Sequence, residues 1–216
     1  MQRNKPFVLI IMLLLLMATG GCEQQAGKND QIKTTPKPVS EKNPAVMPVD
    51  YFPLNKGAKW SYQGSGNEFA SFTREVLFTK GNFAQVREAN GGTTSISVYT
   101  FDKSALTRVY FQGENYDSQN ILAGGFTPND NTIFLQTPIK VGNSWKSDDR
   151  NQRKIVSLKA QVSTPAGEFK NCLQVKISGP DYVVYEYYQQ DVGLIKREFL
   201  ADQEAVTSAL ESYSLK

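Results

Sequence analysis

Between residues 47 and 216 the chain is a succession of short segments in which apolar and polar residues alternate. The segments are rich in Val, Ile, Thr, Phe and Tyr, and Gly, Asn, Asp and Pro separate them. Such alternation places successive side chains on opposite faces of a strand, so the pattern predicts antiparallel β-structure. The predicted strands lie near residues 59–64, 69–79, 83–88, 94–102, 106–112, 144–146, 154–162, 172–178, 182–189, 194–200 and 205–215.

The connections between these segments predict the order of the strands. Lys80-Gly81-Asn82 and Asn90-Gly91-Gly92 offer residues that tolerate a positive φ, as tight hairpins require. Consecutive strands should therefore be neighbours. We predict one mainly β domain over residues 47–216, built as a single antiparallel meander sheet that is curved or forms a half-barrel.

Residues 202–216, which contain the last predicted strand, fit two structures. Val206, Leu210 and Tyr213 have helical spacing. The β-rich surroundings favour a strand, which is our prediction, with a helix as the alternative.

The stretch from Gly113 to Asn131 shows little alternation. A connection of this length is uncommon within a compact domain and is often functional or mobile. Its Tyr116 and Phe126 can cover an opening in the sheet, which makes them candidate ligand contacts, or they can close the core.

The pattern Pro-aliphatic-x-x-Gly-x-x-Trp occurs twice, at 53–60 and at 138–145, and contains both tryptophans of the chain. Pro starts a turn, Gly permits the positive φ that ends it, and Trp enters the following strand as a core anchor. The motif therefore predicts the start of a strand. Ligand stacking by Trp60 and Trp145 is the alternative.

The first residues have the pattern of an export signal. Arg3 and Lys5 precede an uninterrupted apolar run from Phe7 to Met17. A basic start followed by a short apolar run is typical of a signal peptide, and the run is too short to cross a hydrocarbon core of about 30 Å as a helix. We predict a signal peptide over residues 1–21.

Ala18-Thr19-Gly20-Gly21-Cys22 resembles the bacterial lipobox, in which small residues precede a cysteine that becomes acylated. The resemblance implies a diacylglyceryl group on Cys22, with fatty acids such as palmitate, and an anchor at the extracytoplasmic face of the cell membrane. Thr19 stands where most lipoboxes carry an aliphatic residue. Ordinary cleavage, which would give a soluble secreted protein, is the alternative.

Residues 22–46 are predicted to form a lipid-anchored, disordered linker. They are rich in Gln, Lys, Asn, Thr and Pro and contain no aromatic residue. Such a composition cannot bury enough apolar surface to offset the entropy lost on ordering.

The composition excludes several functions. The chain contains no His, so Ser-His-Asp catalysis and His-ligated zinc are unavailable. With Cys22 acylated only Cys172 remains, and its alternating neighbours predict an inert, half-buried thiol. Loss of Arg3 and Lys5 with the signal peptide lowers the formal charge from +3 to +1, which gives no support to nucleic-acid binding. We predict no metal and no cofactor.

Three segments carry a family resemblance: Tyr51-Phe52-Pro53-Leu54 with the first motif copy, Thr164–Phe169, and Val192–Lys196. Together they resemble a group of uncharacterised bacterial lipoproteins, many from spore-forming Firmicutes, which implies no particular activity. The chain is also loosely similar to the lipoprotein-carrier half-barrels, which shelter acyl chains.

Three functions remain open. The first is a binding module whose curved sheet holds an apolar ligand or a protein partner. The second is a structural or interaction protein of the cell envelope or spore, with Tyr185 and Tyr187 on its contact surface. The third is an enzyme using acids such as Asp148 and Asp149, or the loop acids Glu114, Asp117 and Asp130. It is disfavoured because adjacent residues of a strand point to opposite faces and acids in loops are usually solvated.

Overall fold

The computed structural model describes residues 46–201 and 204–215. This part of the chain contains twelve strands, one 3₁₀ helix before the first strand and one short α-helix between the fifth and sixth. Their bounds are Pro48–Tyr51 for the 3₁₀ helix, β1 Lys59–Ser65, β2 Phe72–Lys80, β3 Phe83–Asn90, β4 Thr94–Phe101, β5 Ala105–Gln112, α1 Ile121–Gly124, β6 Thr132–Gln136, β7 Ser144–Lys146, β8 Gln152–Thr164, β9 Gly167–Ser178, β10 Val183–Gln189, β11 Gly193–Ala201 and β12 Glu204–Ser214.

The twelve strands form one antiparallel sheet in the order β6-β5-β4-β3-β2-β1-β12-β11-β10-β9-β8-β7. The two edge strands, β6 and β7, meet at a seam, where the amide of Ile133 donates to the carbonyl of Ser147 at 2.9 Å. The Ser147 hydroxyl donates back to the Ile133 carbonyl at 3.0 Å. The predicted antiparallel meander is thus confirmed, and it curls beyond a half-barrel until it nearly closes.

One end of the barrel is filled by the chain segment that precedes β1. The amide of Met47 donates to the Asp50 carboxylate at 2.7 Å, which fixes the start of the 3₁₀ helix. Phe52 then enters the interior and is 3% exposed. Its ring lies 5.0 Å from that of Tyr99 and 6.5 Å from that of Tyr188. We call this the plugged end, and the opposite end, with the β1–β2, β3–β4 and β11–β12 connections, the open end.

The long connection between β5 and β6 packs on the outer face of the barrel. Gln85, which is fully buried, donates to the Gln119 carbonyl at 2.7 Å and accepts from the amide of Ile121 at 3.0 Å. The Phe126 ring meets that of Phe83 edge-on at 5.9 Å. This connection therefore builds a second, outer core against β3, β4 and β5.

Every predicted strand is present, although its ends can differ from the prediction, most at β9, which begins at Gly167 rather than at residue 172, and one observed strand was not predicted. The last segment is strand β12, as expected, whereas β6 was missed because it follows directly on the irregular connection. Within β9, Asn171 has a φ of 58°, which interrupts the alternation. As a result Cys172 is fully buried beside Leu173 rather than half-buried, and burial raises the pKa of its thiol to about 11.

The predicted signal peptide, the lipidation site Cys22 and the linker up to residue 45 lie outside the described residues, as do Asp202 and Gln203. In the part that is described, no helix has the length and apolarity needed to cross a membrane.

Candidate functional site

Five charged side chains lie on the inner face of the barrel, and we call them the inner charge network. Strand register brings them together, because Arg74 of β2 pairs with Glu88 of β3, and Arg197 of β11 pairs with Glu186 of β10. Residues directly opposite on neighbouring strands share a face. The network consists of Arg74, Glu88, Arg153, Glu186 and Arg197.

The first half of the network is the pair formed by Arg74 and Glu88. The Arg74 Nε donates to Glu88 Oε1 at 2.6 Å, and the Arg74 guanidinium also lies 4.8 Å from the centre of the Phe52 ring. Burial opposes ionisation of Glu88, but Arg74 and Arg197 outweigh it and lower the pKa of Glu88. The pair is therefore charged at neutral pH.

The second half is centred on Glu186, whose side chain is 3% exposed. Its Oε2 accepts from Arg153 Nη1 at 2.7 Å and from the Tyr188 hydroxyl at 2.6 Å, and its Oε1 accepts from Arg197 Nε at 3.0 Å. Burial raises the pKa of Glu186, but Arg153 and Arg197 outweigh it and bring that pKa to about 2. Both oxygens of this carboxylate thus accept hydrogen bonds, Oε2 two and Oε1 one.

A cavity of about 270 Å³ opens above this network at the open end. Glu88 and Arg197 reach it with side chains that are 30% and 31% exposed. Phe72 and Val206 form apolar parts of the wall. Thr93 also lines the cavity, and its buried hydroxyl has no hydrogen-bond partner among the described residues. The site combines charge, apolar surface and an unsatisfied polar atom.

A second cavity, of about 610 Å³, lies outside the barrel beneath the β5–β6 connection. Its walls are mainly apolar and include Phe83, Val109 and Phe126. The Lys80 ammonium closes one side by donating to the Leu122 carbonyl at 3.0 Å. Among the described residues that line this outer cavity, Lys80 is the only charged one, so it has no cluster of charges like the inner charge network.

The two tryptophans singled out in the sequence are buried, with 4% and 7% of their surface exposed. The Trp60 indole N–H donates to the Val192 carbonyl at 2.7 Å, and that of Trp145 donates to the Ile133 carbonyl at 3.1 Å. Both therefore act as core anchors at the start of a strand. Neither lines the two cavities described above, although Trp60 contributes to the wall of a separate cleft of about 410 Å³ between β1, β2 and β12.

The other candidate contacts are dispersed. Tyr116 is 65% exposed in the β5–β6 connection, and Phe126 lines the outer cavity. Tyr185 and Tyr187 lie on the outward face of β10, where the Tyr187 hydroxyl donates to Glu198 at 2.9 Å and accepts from Gln174 at 3.0 Å. The structure does not bring these four residues into one site.

The inner charge network was missed by sequence reasoning, although one signal was present. Val184, Glu186 and Tyr188 alternate on one face of β10, so an acid occupies a face that is otherwise apolar. A lone acid at such a position needs buried cationic partners. The sequence contains seven Arg residues, and the pattern does not show which of them contact Glu186.

The acids considered for catalysis serve local structure. Asp148 accepts from the amides of Arg150 and Asn151 at 2.8 and 2.9 Å, which caps a turn. Asp149 pairs with Lys146 at the surface, and Asp130 pairs with Arg108 at 2.5 Å. Within the described residues no three His, Cys, Asp or Glu side chains are grouped so as to hold a metal ion.

Two solved structures are similar to this chain. One is described as a "putative exported protein with YmcC-like fold" from Bacteroides fragilis, with 15% identity and a TM-score of 0.46, covering 76% of this chain and 99% of the other. The second is a "putative lipoprotein" from Parabacteroides distasonis, with 14% identity and a TM-score of 0.43, covering 76% and 98%. Similarity this weak carries no argument about function.

No protein-family model matches the chain, and no curated protein matches its sequence. The resemblance to Firmicutes lipoproteins therefore stays a prediction.

Proposed function

We propose that this chain is a lipid-anchored extracytoplasmic binding protein that takes a small ligand into the open end of its barrel. The observation that carries the proposal is the cavity of about 270 Å³ in which Arg197 and Glu88 lie partly exposed beside Phe72 and Val206. Small-molecule sites are concave, mostly apolar and equipped with a few polar groups that fix the orientation of the ligand. The cavity is concave and of modest size, and polar and apolar residues contribute about equally to its walls.

The floor of the cavity is rigid, which favours binding. Glu186 holds Arg153 and Arg197 at 2.7 and 3.0 Å, and Arg74 holds Glu88. Side chains locked in this way lose little freedom when a ligand arrives, so less of the interaction energy is spent on ordering them. The packed plugged end leaves the open end as the route to this floor.

A neutral apolar dye tests the binding site. We expect N-phenyl-1-naphthylamine to bind the purified full-length protein saturably, with its fluorescence as the measurement. Val206→Trp should weaken binding at least about tenfold, because the indole fills the cavity. Val141→Trp, at an exposed position near the plugged end, is the matched control and should leave binding unchanged. Absence of saturable binding, or equal binding by Val206→Trp, would overturn the proposed site.

The lipid anchor is a separate part of the proposal. Its support is the lipobox-like sequence ending at Cys22 and the linker-like composition that follows. Two acyl chains are needed for stable anchoring, and a diacylglyceryl thioether supplies them. Mass spectrometry of the mature N-terminus should find this group on Cys22, and Cys22→Ser should release the protein from the membrane fraction. An unmodified thiol would contradict the anchor.

A second candidate function is an interaction protein of the cell envelope. The observation in its favour is that Phe69, Phe111 and Tyr116 are 52%, 41% and 65% exposed in segments at the open end. Exposed aromatic side chains are enriched at protein interfaces. Phe69 also lines the proposed cavity, so the test replaces only Phe111 and Tyr116 with Ser, which should abolish recovery of a partner from crosslinked envelopes and leave dye binding intact. Loss of dye binding alone would favour the first function.

We also propose that the chain is not an enzyme. The absence of His and the structural roles of Asp148 and Asp130 support this.

A further inference from the structure

The charges of the inner charge network do not cancel. It contains three guanidinium groups and two carboxylates. Arg108 and Asp130 form a neighbouring pair that is neutral by itself. The network therefore has a formal charge of +1. Attraction between opposite charges is stronger in a partly desolvated cleft than in water, so this net charge favours binding of an anion.

The excess positive charge belongs to Arg197. Arg74 and Arg153 are 4% and 5% exposed, and each has a carboxylate of its own in Glu88 and Glu186. Arg197 shares Glu186 with Arg153 and uses only its Nε for that bond. Its two terminal nitrogens make no hydrogen bond to any described residue, and its side chain lines the open-end cavity with 31% of its surface exposed.

The surroundings of Arg197 indicate the chemistry of a ligand that could accept hydrogen bonds from its terminal nitrogens. A guanidinium presents a planar fork of donors that matches a carboxylate, phosphate or sulfonate. The Phe72 ring lies 5.7 Å from the guanidinium and stacks on Tyr62 at 4.2 Å, which makes it a fixed apolar wall. Val206 lies on the same cavity. The charge of Glu88 is compensated by Arg74 beneath it.

We infer that the ligand of the open-end cavity is an amphipathic anion, whose charged group binds the terminal nitrogens of Arg197 and whose apolar body lies against Phe72 and Val206. The inference rests on the proposed function, since it specifies the chemistry of that same site.

Two dyes with the same aromatic frame test the inference. 8-Anilinonaphthalene-1-sulfonate carries a sulfonate, and N-phenyl-1-naphthylamine does not. Arg197→Gln should weaken sulfonate binding by about tenfold or more, the loss expected for a charged hydrogen bond, and should leave binding of the neutral dye within about twofold. Arg197→Lys should restore part of the sulfonate affinity. Arg87→Gln removes the same charge from the outer face, where Arg87 pairs with Glu75, and should change neither affinity.

Competition on the unmodified protein keeps the test independent of folding defects in the variants. Octyl phosphate should displace the sulfonate dye at far lower concentration than octyl glucoside or inorganic phosphate. Displacement by inorganic phosphate at the same concentration as octyl phosphate would overturn the amphipathic ligand. Equal loss of both dyes in Arg197→Gln, or no loss of either, would overturn the role of Arg197. If the unmodified protein binds neither dye, the proposed function itself fails.

Discussion

The two copies of the repeated motif form the same local structure in different surroundings. Gly57 and Gly142 have φ angles of 86° and 91°. The amide of Gly57 donates to the Val76 carbonyl at 2.8 Å, and that of Gly142 donates to the Ile155 carbonyl at 2.9 Å. In the first copy the glycine thus bonds the turn to β2, which pairs with β1. In the second copy it bonds the turn to β8, which pairs with β7.

What differs is the position of the strand that each copy starts. β1 pairs with β12 from Lys59 to Ser65 on one side and with β2 from Lys59 to Tyr62 on the other. β7 has three residues and pairs with β8, while its other side forms the seam with β6. Trp60 thus anchors a continuous sheet, whereas the N–H of Trp145 spans the seam to Ile133. The motif specifies how a strand begins and leaves its neighbours to the rest of the chain.

The largest effect should come from truncating the tryptophans. Trp60→Ala and Trp145→Ala should each lose about 3–5 kcal/mol of unfolding free energy, because a large buried side chain leaves a cavity. Only Trp145→Ala should also open the seam. Hydrogen exchange should then accelerate at the amide of Ile133 and leave β1 and β2 protected. Equal protection at Ile133 in both variants would remove the distinction between the copies.

The next largest loss of stability should distinguish Glu186 from Glu88, the carboxylates of the two halves of the inner charge network. Glu186→Gln should cost on the order of 3 kcal/mol at neutral pH, since it leaves two guanidinium groups without a carboxylate. Glu88→Gln should cost less, because Glu88 is 30% exposed and has one salt-bridge partner.

The acid dependence gives a second measurement of the same pair. The pKa of Glu186 lies at about 2, below its ordinary value of 4.5, so its contribution is complete above pH 4.5 and is lost as the pH falls towards 2. Urea unfolding across this range should show a flatter pH profile for Glu186→Gln than for the unmodified protein. A slope as steep as that of the unmodified protein would contradict the buried, ionised carboxylate.

A smaller effect concerns the residues two positions beyond each tryptophan. Tyr62→Phe removes a hydroxyl that donates to the Leu194 carbonyl and should cost about 1 kcal/mol. Ser147→Ala removes the seam bond to Ile133 and also leaves Arg153 Nε without an acceptor, so it should cost about 1–3 kcal/mol. Thermal melts compare the two, and a larger loss in Tyr62→Phe would reverse the expected order.

The smallest effect should be the same in both copies. An added Cβ meets no atom within 4 Å at Gly57 or at Gly142. Alanine at either position therefore loses stability only because its backbone must keep a positive φ. We expect about 1 kcal/mol for each, measured by urea unfolding. If the losses of unfolding free energy in Gly57→Ala and Gly142→Ala differ by more than about 1 kcal/mol, the two turns are not equivalent.

Much of the fold is readable from the sequence because alternation, turn residues and the motif act locally. The meander follows from the hairpin turns, and Trp60 and Trp145 were correctly expected to anchor strands. The seam could not be predicted, since it depends on how far the sheet curls. The candidate site could not be predicted either. Arg74–Glu88 and Arg197–Glu186 are pairs within hairpins, but the curl of the sheet decides that these hairpins meet on the inner face and that Arg153 of β8 reaches Glu186 of β10.

The pairing of β1 with β12 also governs how the chain must fold. Every other ladder joins strands that are consecutive in sequence and can form soon after they are made. The first strand, in contrast, waits for the last one, and contacts of such long range are slow to form. Until then β1 and β11 each present an unpaired edge that can recruit another chain. The interval before β12 docks is therefore when the chain is most exposed to aggregation.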